Sequence, residues 1–122
     1  MNREWAVETL IESMRLLASD PENQVGHLAA LGLSEDWMDV DEIALEFEDA
    51  YGVVPRLATE GLISADAHAA IDALDIYLKS FSGSENRELW TADAVRQSAE
   101  WARVRVLAAV ALESMIGRRP GS

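Results

Sequence analysis

SADAHAAIDALDIYLKSF, Ser64 to Phe81, is the stretch whose pattern decides the fold. Its apolar residues, Ala67, Ala70, Ile71, Leu74, Tyr77, Leu78 and Phe81, recur at intervals of three and four. That is the spacing of one face of an α-helix, and no alternation of the kind a strand needs competes with it. Ser64 stands where an N-cap belongs. The same period runs through most of the chain. Asn2 or Arg3 to Ser19 places Val7, Leu10, Ile11, Met14, Leu17 and Ala18 together, and Asp20-Pro21 ends that helix. A shorter helix covers Glu22 to Leu31 and stops at Gly32. Asp39 is expected to cap a helix running to Tyr51, with Glu42 in the capping-box position. Val40, Ile43, Ala44, Phe47 and Tyr51 form its stripe, and Gly52 closes it.

Pro55 suits the first turn of a short helix ended by Gly61. Ser82-Gly83-Ser84 reads as a turn, Thr91 caps a helix to Gln97, and Ser98 caps the last, Ala99 to Ile116. That last helix is apolar almost all round (Val104, Val106, Leu107, Ala108, Val110, Leu112, Met115), which predicts a central place. The four tryptophans are expected in the core or half-buried. The fold class is all-α: one compact domain over 1–117, with five to seven helices in a bundle-like or orthogonal arrangement. Residues 118–122 are expected to form a flexible tail. With 122 residues and no cysteine, the chain can bury a core without disulfides, and it has no thiolate metal site. Met1 to Glu8 already holds Arg3, Glu4 and Glu8, which does not suit a signal peptide. The longest apolar run, Val106 to Leu112, is far short of the roughly 20 residues that span a bilayer. A soluble protein of the cytoplasm is expected.

The charge is unevenly placed. The net charge is −12, and residues 35–75 hold twelve of the twenty-two carboxylates with one base, Arg56, so that this third of the chain carries −11. Such a concentration repels nucleic acid and anionic membrane and steers basic protein surfaces toward itself. On the helix from Asp39 to Tyr51, Asp41, Glu42, Glu46, Glu48 and Asp49 project away from the core stripe with Leu45 in their midst; Asp72 and Asp75 of the next long helix extend the field. Six acids on one helix repel at close i,i+4 spacing, and folding alone does not require them. A solvated face and a partner-binding face with Leu45 as anchor both fit this pattern.

Catalytic and metal chemistry find little to work with. His27 sits in a short apolar helix. His68, Asp72 and Asp75 share spacing that could form a small cluster, but on the face away from the apolar stripe, where solvated side chains are expected. Asp36, Asp39 and Asp41 do not form a calcium loop, because the required glycine is absent and Ile43-Ala44-Leu45 stands where ligands belong. No catalytic residues, metal or cofactor are expected. The acidic stretch Asp36 to Gly52 also invites comparison with acyl carrier proteins, but Met38-Asp39-Val40-Asp41 lacks their carrier serine.

Phe81-Ser82-Gly83-Ser84-Glu85-Asn86, Leu89-Trp90-Thr91 and Glu100-Trp101 with Val104-Arg105 resemble a pattern in small acidic bacterial proteins. Asp41-Glu42-Ile43-Ala44-Leu45-Glu46-Phe47 and Gly61-Leu62-Ile63 fit the same likeness, which covers about residues 30 to 110. The family resembled has immunity-type functions beside bacterial toxin genes. The resemblance implies an immunity-type inhibitor; with the acidic field, the expected partner is a basic toxin domain, a nuclease being the expected class, and no contact with nucleic acid or membrane is expected. The resemblance assigns no role to any single residue, and Asn86 and Trp90 read equally well as loop-capping and packing residues. Two other readings stay open: a regulatory or adaptor subunit of a larger bacterial complex, using the Arg-lined last helix and the tail as a second surface, and a small enzyme around His68.

Overall fold

The computed structural model describes residues 3–34 and 37–116; the start expected at Asn2, Asp36, the stop at Gly117 and the expected tail 118–122 lie outside them. The described elements are α1 (Arg3–Ala18), α2 (Pro21–Ala30), α3 (Trp37–Val40), α4 (Glu42–Tyr51), α5 (Val54–Thr59), α6 (Ala65–Ser80), a 3₁₀ helix (Ser84–Leu89), α7 (Ala92–Gln97) and α8 (Ala99–Ile116). No strand occurs among the described residues. The chain is all-α, as the period demands, and among the described residues there are eight α-helices where five to seven are expected.

Most boundaries follow from capping. The Ser64 Oγ accepts the Ala67 N–H at 3.0 Å, Thr91 Oγ1 accepts that of Ala94 at 3.1 Å, and Ser98 Oγ that of Trp101 at 3.2 Å. Asp20 does the same for Asn23 at 2.8 Å, with Pro21 in the first turn, where its missing N–H costs nothing. α2 and α5 end on Gly32 (φ 73°) and Gly61 (φ 75°). In both, the next residue's N–H returns to the carbonyl five back, Leu33 to Leu28 and Leu62 to Leu57, each at 2.9 Å. This 6→1 closure needs a left-handed residue, which glycine adopts without a Cβ penalty.

One expected helix is broken. The segment from Asp39 to Tyr51 divides at Asp41 into α3 and α4. Asp39 lies inside α3 and does not cap α4, because its carboxylate turns back to accept the Ser34 N–H (2.7 Å) and hydroxyl (2.8 Å). Those hydrogen bonds hold its carboxyl below the ordinary carboxylate range. The local partner Ser34 thus displaces the expected capping box.

The long helices form a ring in which α1 packs on α8, α8 on α6, α6 on α4 and α4 on α1. α4 and α8 therefore stand at opposite corners, each pressing its apolar side inward. Phe47, Leu10, Met14, Leu17, Ile43, Ile71 and Leu74 are fully buried between them. At one end Trp101 is fully buried against Phe81 and Trp90, with ring centroids 6.0 and 5.2 Å away. The Trp90 indole N–H donates to the Phe81 carbonyl at 2.8 Å and that of Trp101 to the Leu89 carbonyl at 2.6 Å. These bonds fasten the 3₁₀ helix, which the sequence pattern does not reveal beyond its opening turn. Asn86 behaves as a loop cap, its amide N–H donating to the Ser82 carbonyl at 3.2 Å.

A buried polar contact locks the other side. Gln24, fully buried, donates to the Leu16 and Leu17 carbonyls, and its Oε1 accepts from Arg105 Nη1 at 3.1 Å. Arg105 also donates to the Val95 carbonyl at 3.0 Å, and burial lowers its pKa from the ordinary value. One side-chain pair thereby ties α1, α2, α7 and α8.

Two expectations about burial need correction. Trp5 is 57% exposed, because it stands on the outer side of α1. α8 is not enclosed all round either: Val106 (53%) and Val110 (50%) face outward, since only one side of a corner helix meets the ring. No helix of the described residues is long and apolar enough to cross a membrane.

Candidate partner-binding surface

α4 buries Ile43, Ala44, Phe47 and Ala50 and turns its other side out. Asp41, Glu46 and Asp49 are exposed, Glu42 and Glu48 are half-buried, and Leu45 is 36% exposed at the middle of the outward arc. All six expected residues of this helix segment lie on one side of it. The two flanks of that side differ in kind.

Toward α6, Asp72 and Asp75 are bonded within the chain. Asp75, expected to extend the exposed field, is buried (4% exposed) and accepts from Lys79 Nζ at 2.8 Å. Its position four residues from Ile71 and three from Leu78 puts it at the edge of the apolar stripe, and the i,i+4 lysine neutralises it there. The expected solvated cluster of His68, Asp72 and Asp75 is therefore corrected at Asp75. Asp72 accepts a 2.6 Å hydrogen bond from the Tyr51 hydroxyl, and His68 Nε2 lies 3.6 Å from its other oxygen. Glu48 faces this flank, and burial first, then the negative charges of Asp41 and Asp75, push its carboxyl above the ordinary range. Asp41 is exposed as a residue, but partial desolvation of its carboxyl likewise raises its pKa. Among the described residues no group of three such side chains is placed to hold a metal ion.

The Tyr51–Asp72 bond has a measurable pH signature. Hydrogen bonding to Asp72 first, then burial and nearby negative charge, push the Tyr51 phenol from 10.0 up to about 12. A raised folded-state value means the contribution is fully present below pH 10.0 and is lost as pH rises through about 12. Lys79, raised by its bond to Asp75, loses its contribution in the same direction. Tyr51→Phe is expected to lower stability at neutral pH by about 1–2 kcal/mol, the worth of a partly exposed bond to a charged acceptor. It should also reduce the alkaline loss, leaving the part that belongs to Lys79. Urea titrations at neutral and alkaline pH check this; equal alkaline losses in both proteins would contradict it.

Toward α1 the charges stay open to solvent. Here Trp5, Glu8, Thr9 and Glu12 of α1 face Glu46 and Asp49 of α4 across a groove of ≈ 440 Å³. An apolar recess, lined by Trp5, Ala6, Thr9, Asp49, Ala50 and Val53, adjoins it. Glu12 pairs with Arg15, and His27 Nε2 approaches Glu46 at 3.9 Å from the end of the groove. Trp5, Glu8 and Glu12 are absent from the surface expected from sequence, because they lie far outside the −11 segment. A signal existed: all three fall opposite the Val7–Leu10–Met14–Leu17 stripe of α1. No family model matches the chain, and neither a curated protein nor a solved structure shows detectable similarity to it.

Proposed function

We propose that this chain is a non-catalytic inhibitor of the immunity type, which acts in the bacterial cytoplasm by docking its acidic α4–α1 surface on a basic toxin domain. The observation that carries the reading is the contrast between the two flanks of α4. On the α6 side Asp72 and Asp75 have partners within the chain, whereas on the α1 side Glu46, Asp49 and Glu8 stay exposed around Trp5, with the exposed Leu45 at the middle of the outward arc. Carboxylates grouped in this way repel each other mildly in the free protein. An aromatic and an aliphatic anchor with a charged rim is the arrangement of a binding hot spot. A nuclease suits the reading best, because a domain that holds phosphates carries a basic cleft. Carboxylates entering that cleft form charge-assisted hydrogen bonds and displace the nucleic acid. The adaptor reading loses part of its support, since Arg105 of the last helix turns inward to Gln24.

The reading requires a basic toxin domain encoded beside this chain's gene, and the test uses that domain; a gene with no such neighbour would count against the reading. Leu45→Ala and Trp5→Ala should each speed dissociation of the complex by about tenfold, equivalent to about 1–2 kcal/mol, while the association rate holds. Surface plasmon resonance reads both rates. Unchanged dissociation in both variants, or no complex with the unmodified protein, would reject the proposal.

A further inference from the structure

The outward face of α8 lies at the corner of the ring opposite α4 and has no part in the acidic surface. Arg103, Val106, Val110 and Glu113 follow one another on it at steps of three, four and three residues. That is the a/d spacing of a coiled-coil seam. All four are exposed, Val106 by 53% and Val110 by 50%. Ala102 and Ala109 beside them are exposed too, and are small enough to let a second helix come close. Neither Arg103 nor Glu113 has an ion-pair partner among the described residues.

The order of the four side chains is self-complementary. If a second α8 runs antiparallel across the first, Arg103 of one copy meets Glu113 of the other, and Val106 meets Val110. A two-fold axis then repeats both pairs. Antiparallel seams join an a position to a d position in this way. A parallel partner would instead set arginine against arginine and glutamate against glutamate. Charge also favours this face over any other long helix for self-association. The chain as a whole carries −12, but α8 has two acids, Glu100 and Glu113, and two bases, Arg103 and Arg105. Two strongly acidic molecules repel least where they meet through a neutral helix.

We propose that two copies of this chain associate through α8 in this antiparallel register, leaving both acidic surfaces facing outward. The inference does not rest on the proposed function. The interface is small for a dimer, so association depends on concentration.

Sedimentation velocity on the full chain, from micromolar to millimolar concentration, should show the mass rising from one chain toward two. Arg103→Glu should weaken the dimer at least tenfold, because each ion pair becomes a pair of carboxylates. Adding Glu113→Arg to that variant should restore it, since the reversed ion pairs form again. Val106→Asp should leave a monomer of unchanged helicity by circular dichroism, the side chain being exposed. Should Val106→Asp fold poorly, the two charge variants decide alone. A single-chain mass at every concentration would overturn the proposal, as would an Arg103→Glu dimer as tight as the unmodified one or a double variant that fails to recover.

Discussion

Replacing Trp101 by alanine is expected to destabilise the protein by about 3–5 kcal/mol. The side chain has no exposed surface, and it closes one end of the ring. Its ring stands edge-on to both Phe81 and Trp90, so truncation removes two aromatic contacts as well as buried area. The Leu89 carbonyl also loses the indole N–H that it accepts at 2.6 Å. A cavity opens where α6, the 3₁₀ helix and α8 meet. Against a total stability on the order of 5–15 kcal/mol, this is a large share. The melting temperature should fall by about 10 °C or more, followed by circular dichroism at 222 nm, the usual helix band. Trp5→Ala is the control: that side chain is 57% exposed, and its loss should cost less than about 1 kcal/mol. Similar melting shifts for the two variants would contradict the burial of Trp101 and the exposure of Trp5.

The parts of this fold that could be read from sequence are those decided locally. α6, α7 and α8 begin at Ser64, Thr91 and Ser98, because each hydroxyl caps its own next turn. The packing of α6 on α8 follows from two apolar stripes that have to cover each other. Where a side-chain bond outside the apolar period intervenes, the pattern misleads. Ser34 takes the Asp39 carboxylate, so the helix expected to start there starts later. The 3₁₀ helix carries no buried residue of its own and is fixed by two indoles reaching back to backbone carbonyls. Asp75 looked exposed in projection, but Lys79 lets it sit at the edge of the core.

The candidate surface divides in the same way. Asp41, Glu42, Leu45, Glu46, Glu48 and Asp49 were legible because α4 and the residue that precedes it carry them all. Trp5, Glu8 and Glu12 were not, because their approach to Glu46 and Asp49 depends on α1 packing beside α4. Counting charge along the chain cannot show which helices become neighbours.

Reversing Glu46 and Asp49 to lysine should have the largest effect on binding. Both are exposed and line the groove with Glu8 and Glu12, so the variant puts two ammonium groups among the remaining carboxylates. The net charge changes by four units, from −12 to −8, all of it on the proposed face. Stability of the free protein should hold or rise slightly, because repulsion along α4 is relieved. Association with a basic domain should slow, since long-range attraction raises such rates by roughly 10–10³ and is screened beyond a Debye length of about 8 Å at physiological salt. The most direct measurement is stopped-flow association of the unmodified and Glu46→Lys/Asp49→Lys proteins with the basic toxin domain that the proposal requires beside this gene, at low and high ionic strength. We expect the variant to associate at least about tenfold more slowly at low salt, with a shallower salt dependence, so that the two rates converge as salt rises. Equal rates at every ionic strength would show that the acidic face of α4 takes no part in recognition.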